Sequence, residues 1–323
     1  MSVSYDRDTA LFELVDRYIA LRSNVRRSTA ISFSYLRKKL SGEAFLSSPI
    51  GSIRVSDAKK FFADMQAGGS GFSEIRSVYS MLKLSAQIAV DDEVLVKNPF
   101  CFPISQVVKN DSAHRGALTG VQRDDLLSFA REDSHFHRYY DVFFVLFHTG
   151  LRISEFCGLT VSDVDFRGNT ISVERQLLKL TGEYIIEKTK TGSGCRTIPM
   201  TKEVKASMIC LCRNASCGMA VDGVTGFLTA DRNGNPTTAS HWEHRLSSLV
   251  KKYNRTHEPC LPHITPHVCR HTFCTLMAEQ GLSLKTLQYL MGHSDVRVTM
   301  EVYTHVNMES VKRELLRAEG RKR

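Results

Sequence analysis

Between Asn98-Pro99 and about Gly116 the apolar periodicity of this chain fades while Pro, Ser, Lys and Asn accumulate. That break constrains the fold more than any other feature, because it separates a stretch patterned only for helices from one patterned for helices and strands. Before it, Asp8–Leu21 and Arg27–Leu40 carry apolar residues at helical intervals, the second with Ile31, Phe33, Tyr35 and Leu36 ahead of a basic end, Arg37, Lys38 and Lys39. Val55-Ser56-Asp57 opens a third helix running through Met65 and stopped by Gly68-Gly69-Ser70-Gly71, and Ser73–Val90 makes a long fourth. After the break, Thr119–Ala130 and Tyr139–His148 read as helices. Asn169–Leu180 and Glu183–Met200 read as strands, joined by turns at Thr181-Gly182 and Thr191-Gly192-Ser193-Gly194 into a small meander. From Thr201 onward the pattern is helical except for a loop at Asp231–Pro236. The expected fold is therefore mainly α with a small antiparallel β-sheet (α+β), in two domains: a helical one over 1–110, a linker at 111–117 and a mixed one over 118–323.

Several function classes fall away at this stage. No window approaches the roughly 18 consecutive apolar residues of a membrane helix, and the first residues carry acids and no apolar core of a secretory signal, so the chain is expected in the cytoplasm and off the membrane. Nine cysteines without a Cys-x-x-Cys pair fit neither a disulfide framework nor a zinc ribbon. Lys plus Arg number 43 against 34 Asp plus Glu, and the +9 surplus is shared by both parts of the chain, which suits a protein that neutralises a polyanion from two sides.

The chemistry-bearing residues come in an ordered set. Arg152 follows Thr149-Gly150 at a helix start, where backbone N–H groups and a guanidinium could meet one anion, with Glu155 three residues on to hold it. Thr265-Pro266 reads as an N-cap with proline at the first helical position, so His267 and Arg270 fall in the first turn on one face. A zinc site on His267 and His271 is the rival reading, disfavoured by the cation between them and the missing glutamate. Lys190, in Lys188-Thr189-Lys190-Thr191-Gly192, sits at a hairpin tip, where it is either a solvated charge or a proton donor to a leaving oxygen. Gly292 ends the helix Ser283–Met291, His293 follows, and Tyr303 comes on a short segment over Val296–Val302, as a packing residue or as a nucleophile. The ensemble suits phosphoryl transfer, whose transition state spreads charge over equatorial oxygens and which, without a metal, needs arginines.

In that order the set Arg152, Lys190, His267-x-x-Arg270, His293 and Tyr303 resembles the catalytic signature of the tyrosine recombinase (phage integrase) family. HTGLRISE, KTKTGSGCRTIP, TPHVCRHTF and LQYLMGHSDVRVTMEVYTH look most like integrases of conjugative transposons. The resemblance implies a helical core-binding domain followed by a catalytic domain, and a site-specific recombinase acting in integration or excision. Tyr303 would attack the scissile phosphate to give a 3′-phosphotyrosyl link and a free 5′-hydroxyl. Arg152 and Arg270 would hold the non-bridging oxygens, Lys190 would act as general acid, His267 as acid/base and His293 as a phosphate hydrogen-bond partner. No metal or nucleotide cofactor is implied. Implied partners are double-stranded DNA recombination sites, further copies of the chain as a tetramer on paired sites, and accessory DNA-bending or directionality proteins. The segment 307–323 would be a tail that packs on a neighbouring protomer. Integrases of the conjugative-transposon type usually carry an N-terminal arm-binding domain, whereas this chain starts at the core-binding region. The alternatives are a catalytically inactive DNA-binding relative and a type IB topoisomerase.

Overall fold

A computed structural model describes residues 5–111, 116–189, 194–294 and 300. Lys190, Tyr303, the turn at 191–193, most of the expected linker, the segment around Val296–Val302 and the tail over 307–323 lie outside the described residues. The chain divides into two compact units, Met1–His114 and Arg115–Arg323.

The first unit is built on α1 (Leu11–Leu21), α2 (Arg27–Leu40), α3 (Val55–Ala67) and α4 (Phe72–Asp91). Helix α1 buries Leu11, Leu14, Val15 and Tyr18, the 3-4-7 spacing of one helical face, against a helix-long apolar stripe of α4 that includes Ile75, Val78, Leu82, Ala86 and Ala89. It begins three residues later than the periodicity suggests. Asp6 Oδ1 accepts the backbone N–H of Asp8 at 3.0 Å, and Ala10 bridges to Pro49, so local hydrogen bonds outcompete helix at the chain's start. The stretch beyond Asn98 is bound into this unit: Phe100, Phe102 and Val108 are buried, and Phe62 packs edge-on against the first two rings. Their spacing follows no helical or strand period because the backbone passes through turns and a short 3-10 segment, Ile104–Gln106.

The second unit contains α5 (Gly120–Glu132), α6 (Tyr140–Thr149), α7 (Ile153–Cys157), α8 (Lys202–Arg213), α9 (Ala239–Tyr253), α10 (Pro266–Glu279) and α11 (Leu284–Met291). Helix α6, apolar nearly all round, runs through the core with Phe143 and Phe147 fully buried, and Trp242 of α9 packs edge-on against Phe143 and Phe156. The strands are β1 (Val164–Asp165), β2 (Thr170–Val173), β3 (Arg175–Leu180), β4 (Glu183–Lys188) and β5 (Arg196–Pro199). All pairs are antiparallel, but the two long strands expected are each divided: β1-β2-β5 form one sheet and β3-β4 another. The division falls at Glu174 and beyond Lys188, where Glu174 O still accepts Thr189 N at 3.2 Å and so ties the two arms of the long hairpin together. The tip at Thr181-Gly182, with φ of 50° and 91°, is the turn that the right-handed strand twist favours.

The sequence suggests helix from Thr201 up to Asp231, whereas α8 ends at Arg213 and the chain to Thr238 runs in turns and isolated bridges. Positive φ at Asp222, Gly223, Gly226 and Gly234 breaks any helix there, and Phe227 and Leu228 are pinned into the core by a bridge from Thr160 and a bond from Leu228 N to Leu159 O. No helix among the described residues is long and apolar enough to cross a membrane.

Candidate active site

The C-terminal end of α11 is the point on which the described members of the predicted set, Arg152, Arg270, His293 and, close by, His267, converge. Arg152 sits two residues beyond Gly150, whose left-handed backbone (φ 66°, ψ 16°) ends α6 and turns the chain sharply into α7. Its Nη1 donates to Glu155 Oε1 at 2.7 Å and its Nη2 to Gly292 O at 3.1 Å, and the side chain remains 37% exposed, so this guanidinium can still meet a ligand. The sequence reading offered the helix start as an open set of N–H donors. Instead the backbone N–H of Arg152 donates to Glu155 Oε2 at 2.9 Å, so Glu155 takes one of those donors and the guanidinium carries the anion-binding capacity of α7.

Arg270 arrives from α10, whose start is set by Thr265, accepting Val268 N at 3.4 Å, and by Pro266 at the first position. Its guanidinium is almost wholly buried, with Nη1 donating to Gly150 O at 2.6 Å and Nη2 to Met291 O. Burial first, then the charges of Arg152 and Arg196, push Arg270 down to about 9 against the opposing pull of Glu155, which leaves it a cation at neutral pH.

His293 follows Gly292, which closes α11 in the left-handed region (φ 59°, ψ 44°), and its backbone is held by Gln288 through His293 N to Gln288 O at 3.2 Å and Gln288 Nε2 to His293 O at 3.1 Å. Burial and then the charges of Arg270, Arg152, Arg196 and His267 push its imidazole down to about 4, so it is neutral at physiological pH. His267 is exposed and lines a cleft of about 360 Å³ together with Ile153, Glu243, His244, Ser247, His263 and Thr265. His271, its rival metal partner in the sequence, pairs instead with Thr275 Oγ1 at 3.1 Å, and among the described residues no three His, Cys, Asp or Glu side chains group as metal ligands.

The structure thus gathers Arg152, Arg270, His293 and His267. It adds a residue that the sequence reading passed over. Arg196, on β5, has no exposed side-chain surface and grips Glu155 with both terminal nitrogens, Nη2 to Oε2 at 2.8 Å and Nη1 to Oε1 at 3.2 Å. The signal was present in the alternation of Cys195-Arg196-Thr197-Ile198-Pro199, which points Arg196 inward beside Ile198. Burial works to raise the pKa of Glu155, but the Arg196 hydrogen bonds and the charges of Arg196 and Arg152 win and hold the carboxyl below its ordinary value. Among the described residues, the cluster therefore sets three guanidiniums against one carboxylate in a largely water-excluded place. A buried surplus of positive charge is costly until an anion completes it.

The chain as a whole is similar to proteins already known. The sequence profile of the phage integrase family matches residues 117–310. The transposase of transposon Tn916 from Enterococcus faecalis is 38% identical over 310 residues, covering 95% of this chain and 76% of that protein. The tyrosine recombinase XerC of Bacillus subtilis is 32% identical over 174 residues, covering 52% of this chain and 49% of that one. Among solved structures, the Tn1549 transposon integrase in complex with transposon right end DNA aligns with a TM-score of 0.89 at 38% identity, over 96% of this chain and 99% of that one.

Proposed function

This chain belongs to the phage integrase family of tyrosine recombinases, and from that premise we propose how its own residues divide the work of a site-specific DNA recombinase that integrates or excises a mobile element. The observation that carries the proposal is the unbalanced charge at the end of α11, where, among the described residues, Arg152 and Arg196 share the carboxylate of Glu155 and Arg270 is bonded only to backbone carbonyls. A scissile phosphodiester supplies the missing negative charge. Arg152 and Arg270 bind its non-bridging oxygens, and they bind better still the trigonal-bipyramidal state in which that charge grows.

Tyr303 attacks phosphorus, forming the P–O bond to the phenol oxygen while the bond to the 5′-oxygen breaks. Lys190 gives the departing oxygen its proton, and His267, at the mouth of its cleft, takes the phenol proton and later returns it. His293, kept neutral by burial and then by the cations around it, donates a hydrogen bond to the phosphate without adding a fourth positive charge to the cluster. The 3′-phosphotyrosyl link keeps the phosphodiester energy, so religation to a second 5′-hydroxyl needs neither metal nor nucleotide.

The Tn1549 integrase is seen in complex with transposon right end DNA, and λ integrase, of which 16% of aligned residues are identical here, is seen as a tetramer on a Holliday junction. For this chain we assign double-stranded recombination sites as substrate, four copies on paired sites as the working assembly, DNA-bending or directionality proteins as accessories and the bacterial cytoplasm as the place of action. The unit over 1–110 is assigned as the core-binding domain. Helix α2 suits that part, since it buries only Leu36 and Leu40 and carries Arg27, Arg37 and Lys38 on its exposed surface. The mixed unit over 118–323 is assigned as the catalytic domain.

Incubation with nicked suicide substrates tests the scheme. A covalent protein–DNA adduct is expected, lost in Tyr303→Phe. Adduct that persists in the variant removes Tyr303 as nucleophile, and adduct without strand exchange between duplexes points to topoisomerase-like relaxation.

A further inference from the structure

Three consecutive carbonyls at the end of α11 each accept a hydrogen bond from a different arginine: Leu290 O from Arg196 Nε at 2.7 Å, Met291 O from Arg270 Nη2, and Gly292 O from Arg152 Nη2 at 3.1 Å. The last carbonyls of a helix lack intrahelical partners and carry the negative end of its dipole, so this terminus offsets part of the repulsion among the three cations. The arginines differ in what else they can reach. Arg152 keeps exposed surface. Arg270 and Arg196 are both buried and differ in their donors: among the described residues Arg270 places one bond from each terminal nitrogen, on Gly150 O and Met291 O, whereas Arg196 has donors on Leu290 O, on Gly194 O at 3.0 Å and on both oxygens of Glu155.

Glu155 is correspondingly saturated. Its Oε1 accepts from Arg152 Nη1 and Arg196 Nη1, and its Oε2 from Arg152 N and Arg196 Nη2. The planar fork of Arg196 therefore sets the plane of the carboxylate, and the carboxylate sets the direction of the Arg152 guanidinium. Through Leu290 O the same fork holds the end of α11, three residues before His293.

We propose that Arg196 is a positioning residue of the recombination site: it never touches DNA, and it holds Arg152 through Glu155 and His293 through the end of α11 in register with the scissile phosphate. The inference rests on the reading of Arg152 and Arg270 as phosphate ligands.

The test uses the full chain and two variants. Arg196→Met combined with Glu155→Met removes both buried charges at once and leaves no unpaired carboxylate, which favours folding. Arg196→Lys keeps the charge but replaces a fork by a point donor. For each, thermal melting, affinity for duplex DNA and single-turnover cleavage of a suicide substrate at saturating protein are measured. Cleavage is repeated on a substrate whose scissile phosphate has one non-bridging oxygen replaced by methyl, so that it is uncharged. DNA affinity should stay near wild type while cleavage falls on the order of a hundred-fold, the loss expected when a reacting group is misplaced by about an ångström. On the uncharged phosphate the deficit should shrink, because a misdirected Arg152 no longer has a charge to stabilise. Wild-type cleavage in both variants overturns the proposal, and so does the same fold-loss on both substrates, which is the pattern of a residue that only supports the fold. Arg152→Ala runs alongside. If it cleaves normally, the reading of the site itself fails; if it alone loses cleavage, only the role of Arg196 does.

Discussion

Gly150 is where the fold and the site depend on one another most directly, and Gly150→Ala measures that dependence. The backbone there has φ 66°, which an L side chain adopts at about 1–2 kcal/mol. A Cβ would also stand 2.6 Å from Phe273 Cδ1 and 2.8 Å from Met291 Sδ, both buried, and forcing an extra carbon into such a core costs about 1–3 kcal/mol. Together the substitution should destabilise the second unit by roughly 2–5 kcal/mol. Gly182→Ala is the matched control, since its φ is 91° but nothing lies within 4 Å of a Cβ, and only the backbone cost of about 1–2 kcal/mol applies. Urea unfolding followed by the fluorescence of Trp242, the single tryptophan and a core residue of this unit, reports both. Because Gly150 O and Met291 O are the acceptors of the Arg270 guanidinium, the folded fraction of Gly150→Ala should also cleave DNA more slowly. A loss of stability no greater than that of Gly182→Ala would refute the close packing of α6, α10 and α11 on which this account of the site depends.

Glu155→Gln should cost about 3–5 kcal/mol at neutral pH, because two guanidiniums lose the carboxylate between them. Its pKa is depressed in the folded chain, so the unfolded chain binds the proton more readily: the stabilisation is present above the unfolded value of about 4.3 and is lost as pH falls through the lower folded value. Acid unfolding of the wild type should therefore show a slope below about pH 4 that the variant lacks, and superimposable acid limbs would contradict the assignment. The His293 ring, followed by NMR in the free protein, should titrate near the value of about 4. Since the unfolded ring titrates near 6.5, stability should decline as pH falls from there towards 4, and a midpoint at or above about 6 would show that the ring is neither buried nor faced by the cations as described. Arg270→Lys replaces a planar fork, whose two terminal nitrogens reach Gly150 O and Met291 O separately, by a single point donor, so cleavage should fall on the order of a hundred- to a thousand-fold with DNA affinity kept; equal losses in both would make Arg270 a mere anchor.

Much of the fold was legible because its signals are local. The bounds of α2 coincide with the periodic stretch Arg27–Leu40, and Ser283 caps α11, accepting Thr286 N at 3.2 Å where the sequence placed that helix's start. Gly150 and Gly292 end their helices in the left-handed region, as a glycine after the last apolar residue suggests. The segment 214–238 misled because it lacks strand alternation and its turns depend on glycine conformations seen only when Phe227 and Leu228 find their core partners. The long strands were readable as strands, but not their division at Glu174, which depends on pairings fixed across the hairpin.

The site was legible in part for the same reason. Arg152 and Glu155 are three residues apart, so their ion pair follows from helical geometry, and the first turn of α10 displays His267 and Arg270 by spacing alone. What spacing cannot show is the balance of charge. Each arginine, taken singly, is an ordinary cation with a nearby acceptor. Only the fold reveals that Arg196 comes to the same carboxylate from a strand 41 residues on, and that three successive carbonyls of one helix end serve three guanidiniums. That convergence is what the proposed phosphate site rests on, because desolvation makes each unmatched charge expensive and an anion would lower the cost. It also explains how His293 can serve such a site: a histidine placed among exposed cations would titrate near its ordinary value, whereas one buried against this cluster is kept neutral and ready to donate.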